Sequence, residues 1–244
     1  VVFQGNKQKE ELNLVNVGAD TAVYVVSFVQ YNMKEDGSFV QIDKPDSGQM
    51  FSDPFLRIYP RRVTLAPREP QVIQIQFRKK SGMTDGEYRS HLYFRADKET
   101  KPLGDISESS DTTTLSVQLI PVFGLSIPVI IRTGDVTLNV QLEDLQLQYQ
   151  NDSLPFLNFS IRREGNISVY GDLKAEYIPE KGNVMEIGSM RGVGVYTSIQ
   201  KRLMAFRLQS LTDKIRIGGK IRLTYFEILE NSAIKIFAVK ELPL

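Results

Sequence analysis

The chain has 244 residues and a formal net charge of +1, from 30 lysines and arginines against 29 aspartates and glutamates. This length suits one large domain or two ordinary ones, and the mixed charges supply no basic field that would favour nucleic acid or an anionic membrane. The chain has no cysteine and a single histidine, His91. These counts exclude disulfides, cysteine nucleophiles and metal sites built on cysteine or on several histidines.

The amino-terminal part of the chain is predicted to consist of strands. Residues 11–18 alternate apolar and polar side chains, and residues 21–31 are rich in β-branched and aromatic residues. Asp36-Gly37 has the chemistry of a tight hairpin turn. The polar residues 43–53 predict a loop.

Further strands are predicted on both sides of a proline-containing corner. Residues 55–80 predict two strands, broken at Ala66-Pro67. Alternation in residues 88–95 then predicts a strand with two distinct faces. One face carries Tyr88, Ser90, Leu92 and Phe94, and the other carries Arg89, His91, Tyr93 and Arg95.

The approach to this last strand has a pattern known from immunoglobulin-type sandwiches. The spacing of Asp85 and Tyr88 resembles their tyrosine corner, with Ser90 where those domains often have cysteine.

The longest nearly uncharged stretch, Leu115–Arg132, lies near the midpoint and follows a long polar loop at residues 97–114. Pro121 and Pro128 cannot donate to a sheet ladder, so they confine the stretch to a sheet edge, a bulge or a strand end. The apolar part is too short and too interrupted to span a membrane. An uncovered apolar edge is an aggregation liability, so we expect the fold to cover it or a partner to bind along it.

A short polar break at residues 133–135 predicts the boundary between domains. Beyond it, alternation with period two recurs through residues 136–244, with a turn at Glu164-Gly165-Asn166, and no window shows a helical period. The predicted fold is therefore all-β, with two antiparallel sandwiches.

The sequence offers little for catalysis. It has no glycine-rich phosphate loop with a lysine and no Gly-x-Ser-x-Gly elbow. His91 lies in mid-strand, where we interpret it as a strand residue and not as a catalytic base. We expect no enzymatic activity and no cofactor or metal; an enzyme on a sandwich scaffold would need a deep pocket with converging polar groups.

Several stretches in order together resemble the PapD-like periplasmic pilus chaperones. The resemblance covers the whole chain and is strongest before residue 132. The stretches are VVFQG, ELNLVNVGADTAVYVVSF, FLRIYPRRVTLAPREPQVIQIQFRK, DGEYRSHLYFRA, LIPVFGLSIPVIIR and RREGNISVYGDLKAEYIP.

The resemblance implies two immunoglobulin-like sandwich domains in a boomerang arrangement. It places an amino-terminal chaperone domain at 1–132, with an edge strand at 115–131, and a second domain at 136–244. It implies a periplasmic location after removal of a signal peptide, and as partners the pilus or fimbrial subunits and an outer-membrane usher. Such subunits lack their last strand, and the chaperone's edge strand fills the gap by donor-strand complementation. The resemblance implies no role with nucleic acid and no insertion into a membrane.

The resemblance also assigns roles to residues of the edge strand. The alternating row Val117, Leu119, Pro121 and Phe123 would fill the subunit's groove, and Ile120 and Val122 would face the chaperone's own core. A bulge at Pro121 would swap the two rows.

The carboxylate anchor of the better-known members is the main departure. Pro128 stands where the family has a basic residue, so Arg89 and Arg132 become the candidate anchors for a subunit carboxylate. The alternative is a structural or adhesive immunoglobulin-like module of a surface assembly, which would cover residues 115–131 within the monomer. An exposed edge would also permit self-association.

Overall fold

The computed structural model describes residues 1–97, 124–148, 155–208 and 219–244, and its regular elements are strands apart from one 3-10 turn at Asp53–Phe55. The predicted all-β class is confirmed. The strands are β1 (Val2–Phe3), β2 (Lys9–Val15), β3 (Ala22–Met33), β4 (Phe39–Ile42), β5 (Leu56–Tyr59), β6 (Arg62–Leu65), β7 (Pro70–Phe77), β8 (Gly86–Ala96), β9 (Gly124–Thr133), β10 (Leu138–Gln148), β11 (Phe156–Gly165), β12 (Val169–Pro179), β13 (Met185–Val195), β14 (Lys201–Arg207), β15 (Gly219–Ile228) and β16 (Ile234–Pro243). The described ranges include no helix with the length and hydrophobicity of a membrane span.

The chain divides into two compact units. The first comprises Val1–Gln30, Phe51–Gly82 and Arg89–Ile131, and the second comprises Tyr31–Met50, Met83–Tyr88 and Arg132–Leu244. Residues 98–123 of the first unit lie outside the described part of the chain. The domain ranges 1–132 and 136–244 and the boomerang arrangement stay predictions.

The first unit is a sandwich of two sheets. One sheet has the strand order β1-β9-β8-β3, with β6 also paired with β3, and the other has the order β2-β7-β5. The predicted inner face of β8 is buried, and Ile73, Ile75 and Phe77 of β7 are buried as well. The rings of Phe3 and Phe77, one from each sheet, lie 6.0 Å apart. Alternating apolar side chains thus supply the core, as the sequence predicts.

The second unit is also a sandwich, with the sheets β10-β11-β14 and β13-β12-β15-β16. One apolar cluster joins side chains from both sheets, and its fully buried members include Leu157, Ile161, Leu173, Leu223 and Tyr225. The predicted turn at residues 164–166 is confirmed, because β11 ends at Gly165 and β12 begins at Val169.

A buried arginine organises the loops of the second sandwich. Arg163 is only 3% exposed. Its guanidinium donates to the carbonyls of Gly165 and Ile167 at 2.8 and 3.0 Å, and to those of Thr197 and Ile199 at about 3.3 Å. These acceptors belong to two separate connections, so one planar fork of donors fixes both.

The prediction of two strands in residues 55–80 was wrong, since the structure has three. β5 pairs with β7, whereas β6 pairs with β3 in the other sheet. Pro60 lies between β5 and β6 and has no N–H, so it cannot continue the ladder with β7. The chain leaves one sheet there and enters the other.

Two predicted local motifs are present. Lys34 and Ser38 close the hairpin around Asp36-Gly37, with Gly37 at φ +82°. The hydroxyl of Tyr88 accepts from the backbone nitrogen of Thr84 at 2.8 Å and lies 3.2 Å from its carbonyl. This backward hydrogen bond is the contact that defines a tyrosine corner.

We expect Tyr88→Phe to lower the free energy of unfolding by about 1 kcal/mol, because it removes the hydroxyl that serves both backbone groups of Thr84. Tyr59→Phe is the matched control, since the Tyr59 side chain is 77% exposed. Urea unfolding of the two variants measures the difference. Equal stability of both variants would show that the corner contributes nothing.

Candidate partner-binding edge

β9, which contains the described part of the predicted edge strand 115–131, is paired unequally on its two sides. β8 lies along one side, and on the other side the two-residue strand β1 pairs in parallel, with Val2 opposite Ile130 and Phe3 opposite Ile131. None of the described strands pairs with Gly124–Ile127 on the side of β1. The amino-terminal half of β9 is therefore an open sheet edge within the described part of the chain.

Hydrogen bonds identify the backbone groups that face this open side. The Val1 nitrogen donates to the Pro128 carbonyl at 3.0 Å, and the Ile130 N–H donates to the Val1 carbonyl at 2.9 Å. Backbone groups of a strand alternate between its two sides. Gly124 and Ser126 therefore direct both their N–H and their C=O to the same side as Pro128.

Pro128 lies on the edge side of β9, as the sequence analysis predicts for a proline in this stretch. Its nitrogen faces the open side, so its missing N–H costs β9 no hydrogen bond with β8. Because Val1 already uses the Pro128 carbonyl, an added strand could pair with Gly124 and Ser126 and would have to end there.

The side chains of β9 divide into two rows. Val129 and Ile131 are fully buried in the core. Leu125, in the same row, is 59% exposed and borders an apolar cavity of about 310 Å³. The other residues lining this cavity are Leu14, Val15, Tyr24, Leu65, Phe94 and Gly124. Odd-numbered residues of β9 thus belong to the core face.

The predicted groove-filling row, Val117, Leu119, Pro121 and Phe123, lies outside the described residues, as do Ile120 and Val122. Which of these two rows would be lent to a partner stays a prediction.

Arg89, one of the two candidate anchors, is half-buried on β8. It lies close enough to His91 to affect its titration: burial, followed by repulsion from Arg89, lowers the pKa of His91 to about 4. His91 is only 5% exposed and is neutral near pH 7, so the positive charge on this face of β8 comes from Arg89 and Arg95.

Arg132, the other candidate anchor, already has partners within the second unit. Its Nε donates to Oε2 of Glu87 at 3.1 Å, and its NH2 group donates to the Ser168 carbonyl at 3.2 Å. Oε2 of Glu87 also accepts from the Ser168 hydroxyl at 2.7 Å and from the Ser168 N–H at 3.1 Å. The Glu87 side chain is fully buried, so a partner's carboxylate would have to displace Glu87 from Arg132.

Sequence reasoning missed Glu87 and Ser168. They lie 45 residues from Arg132 and 81 residues from Glu87, respectively. No local period or motif links residues at such separations, and only the sheet pairing of β8 with β9 brings Glu87 beside Arg132.

A cavity of about 570 Å³ in the second unit bears on the enzyme alternative. Its lining includes Asp144 and Ser160, and Oδ2 of Asp144 accepts from the Ser160 hydroxyl at 3.0 Å and from Nζ of Lys201 at 2.9 Å. The hydrogen bond and charge of Lys201 lower the pKa of Asp144, and the same contact raises the pKa of Lys201. The lowered pKa makes Asp144 a weaker base than an ordinary carboxylate, and the raised pKa keeps Lys201 protonated, so neither group is poised to take a proton from Ser160.

Comparison with known proteins gives structural neighbours only. No family model matches the chain, and no curated protein matches it. Solved structures to which the chain is similar include chaperones of pili and fimbriae, some of them in complex with subunits.

Three of these neighbours illustrate the degree of structural similarity and sequence identity. The CsuC–CsuE complex of a chaperone and a tip adhesion subunit, from Acinetobacter baumannii, has a TM-score of 0.47 and 12% identity, over 99% of this chain and 94% of that one. The E. coli chaperone DraB has a TM-score of 0.46 and 13% identity, over 100% and 92%. The Pseudomonas aeruginosa CupB2 chaperone has a TM-score of 0.42 and 13% identity, over 100% and 97%. Because these TM-scores lie below 0.5, the function proposed below rests on this chain's own strands and contacts.

The low pKa of His91 predicts a specific loss of stability in acid. Between pH 6.5 and about 4 the unfolded chain binds a proton at His91 that the folded chain does not. The free energy of unfolding therefore falls as the pH drops through this window, by at most about 3 kcal/mol from this residue.

Urea unfolding of the wild type and of His91→Gln at several pH values between 4 and 7 isolates this effect, because carboxylates titrate equally in both proteins. The stability difference between them should shift in favour of the variant as the pH falls. A difference that stays constant over the whole range would contradict the assignment.

Proposed function

We propose that this chain is a periplasmic chaperone that binds and caps pilus or fimbrial subunits by donor-strand complementation, and that it is not an enzyme. The observation that carries the proposal is the open edge of β9 at Gly124 and Ser126, directly after the apolar segment 115–123 in the chain. A subunit that lacks a strand would pair its own backbone with this edge and receive apolar side chains in the vacant position.

The edge offers backbone groups that a partner strand can pair with, and it also sets where that strand must end. Gly124 and Ser126 each offer an N–H and a C=O, which suits main-chain pairing without any demand on the partner's side chains. Pro128 offers no N–H and its carbonyl is already used. The added strand is therefore held along the amino-terminal half of β9 and continues along the apolar segment.

Two registers of the lent segment are compatible with this edge. The first lends Val117, Leu119, Pro121 and Phe123. The second lends Ile120 and Val122, and is the register that uninterrupted alternation from Leu125 and Val129 would give. The first requires the alternation to change phase between Phe123 and Leu125, as a bulge there would cause.

The subunit's carboxylate and the further partners belong to the same proposal. Arg89 and Arg132 are the candidate anchors, and at Arg132 a subunit carboxylate would have to displace the buried carboxylate of Glu87. An outer-membrane usher would receive the complex, and in the absence of a subunit the open edge of one copy would pair with that of a second.

The structural-module alternative draws support from one observation. β1 pairs with Ile130 and Ile131 within the chain. A structural module would cover residues 115–129 in the same way. Gly124–Ile127 is uncharged and has no described strand on the side of β1, which favours the chaperone.

Ser126→Pro tests the edge directly. It removes an N–H on the open side but none that β8 uses, and Pro128 already occupies the equivalent position two residues on. We expect a normal thermal midpoint and about a five- to tenfold weaker binding of a co-expressed subunit, the effect of one lost hydrogen bond of about 1 kcal/mol.

Ser126→Ala is the matched control, because it keeps the N–H and removes only the hydroxyl. Binding is measured by co-purification and titration of the subunit encoded beside this chain. If Ser126→Pro and Ser126→Ala bind alike, the edge does not pair with the subunit.

Leu119→Asp and Ile120→Asp distinguish the two registers. The aspartate in the lent row should abolish subunit binding without changing the thermal midpoint, since a charge cannot enter the partner's apolar groove. The aspartate in the other row should lower the thermal midpoint instead. Val17→Asp, at a residue 94% exposed, is the control; normal binding by both test variants would mean that neither row is lent.

A further inference from the structure

Tyr93 lies directly over Gly124, the first residue of β9. A methyl group added at Gly124 would lie 2.5 Å from Cζ of the Tyr93 ring and still closer to its Cε2 and hydroxyl. No carbon atom tolerates such an approach, so the ring occupies the space that a side chain at residue 124 would need.

Space, and not backbone conformation, is what requires glycine here. Gly124 does not have the positive φ that characterises glycines such as Gly37 or Gly134. It has ordinary strand geometry that alanine also adopts. The packing of the Tyr93 ring is therefore the physical reason for glycine at this position.

The backbone that carries the ring is fixed in the sheet. Tyr93 is on β8, where it pairs with Ser27 of β3, and it shares the outer face of the sheet with Arg89 and His91. It is half-buried. An aromatic residue that covers a glycine on the neighbouring strand is a recognised device for fixing strand pairing.

We infer that Tyr93 is a positioning residue that sets the register of β9 and hence the placement of its open edge. The inference rests on the proposed function, because the edge so placed is the one that would receive a subunit. Strand pairing by backbone alone tolerates slippage, and a side-chain contact that fits one register only removes that freedom.

The surrounding sequence makes the contact selective. A slip of one residue would bring Phe123 or Leu125 beneath the ring, and a slip of two would bring Val122 or Ser126. All four have a Cβ atom. The nearest other glycines are Gly104 and Gly134, so one register alone seats the ring.

A double-mutant cycle tests the contact. We expect Gly124→Ala to lower the thermal midpoint by about 4–8 °C, the usual effect of overpacking in a chain of this length. In the Tyr93→Ala background the same substitution should cost little, because the ring is gone. If Gly124→Ala shifts the midpoint equally in both backgrounds, the ring does not set the register.

Hydrogen exchange provides the second readout. Tyr93→Ala should accelerate exchange of amides in peptides covering residues 124–133 severalfold and leave peptides covering 219–228 unchanged. This comparison also decides the matter if Gly124→Ala does not fold. Unchanged exchange in residues 124–133 would overturn the inference.

Subunit binding separates this inference from the proposed function. Tyr93→Ala should weaken capture of a co-expressed subunit at least tenfold, while Tyr59→Ala, at an exposed residue of β5, should not. If the wild type captures no subunit, the proposed function is wrong, and the double-mutant cycle still tests whether Tyr93 sets the register of β9. If the wild type captures a subunit and Tyr93→Ala captures it equally well, the positioning role fails alone.

Discussion

A proline in the middle of β9 decides how that strand can be paired. Pro128 has no N–H, so only the side away from its nitrogen can form a continuous ladder, and β8 occupies that side. On the other side, Val1, directly before the short strand β1, forms hydrogen bonds with the Pro128 carbonyl and the Ile130 N–H. This arrangement leaves Gly124 and Ser126 directed to a side that no described strand covers, and both the proposed chaperone role and the limit on the partner strand depend on it.

Side chains fix β9 where the backbone does not. At its first residue the Tyr93 ring excludes any side chain at position 124. Near its other end Arg132 is held by Glu87, whose buried carboxylate also accepts two hydrogen bonds from Ser168. Removing one partner of a buried ion pair leaves an uncompensated charge and is strongly destabilising. The open edge at Gly124 and Ser126 therefore lies in a strand that side-chain contacts fix near both ends.

Sequence patterns were informative wherever the controlling interaction was local. Alternation predicted β8 and the strand-rich region 136–244 in which β10 to β16 lie, and the spacing of Tyr88 predicted the tyrosine corner. The sequence prediction missed the extra break at Pro60, although the apolar residues change there from even positions (Leu56, Ile58) to odd positions (Val63, Leu65). The partner strands show that β5 and β6 belong to different sheets.

The contacts that fix the candidate site were beyond sequence reasoning. Glu87 and Tyr93 lie on β8 and meet residues of β9 more than 30 positions away along the chain. The positive charge of Arg132 made it a candidate anchor for a partner's carboxylate. The sequence contains no local signal that Arg132 is already paired with the carboxylate of Glu87. Register between strands is a property of pairing, which composition and period leave open.

The treatment of other sheet edges strengthens the interpretation of this one. β2, β14 and β16 are edge strands in their sheets, and each carries two or more charged side chains, which oppose association with a foreign strand. At β14 the Leu203 N–H is in addition capped by the Glu35 carbonyl at 2.7 Å. Gly124–Ile131 has no charge at all, and the short strand β1 covers only its last residues. In contrast to these three edges, the amino-terminal half of β9 is uncharged and has no described strand on the side of β1. It therefore has the physical requirements for strand addition at that place.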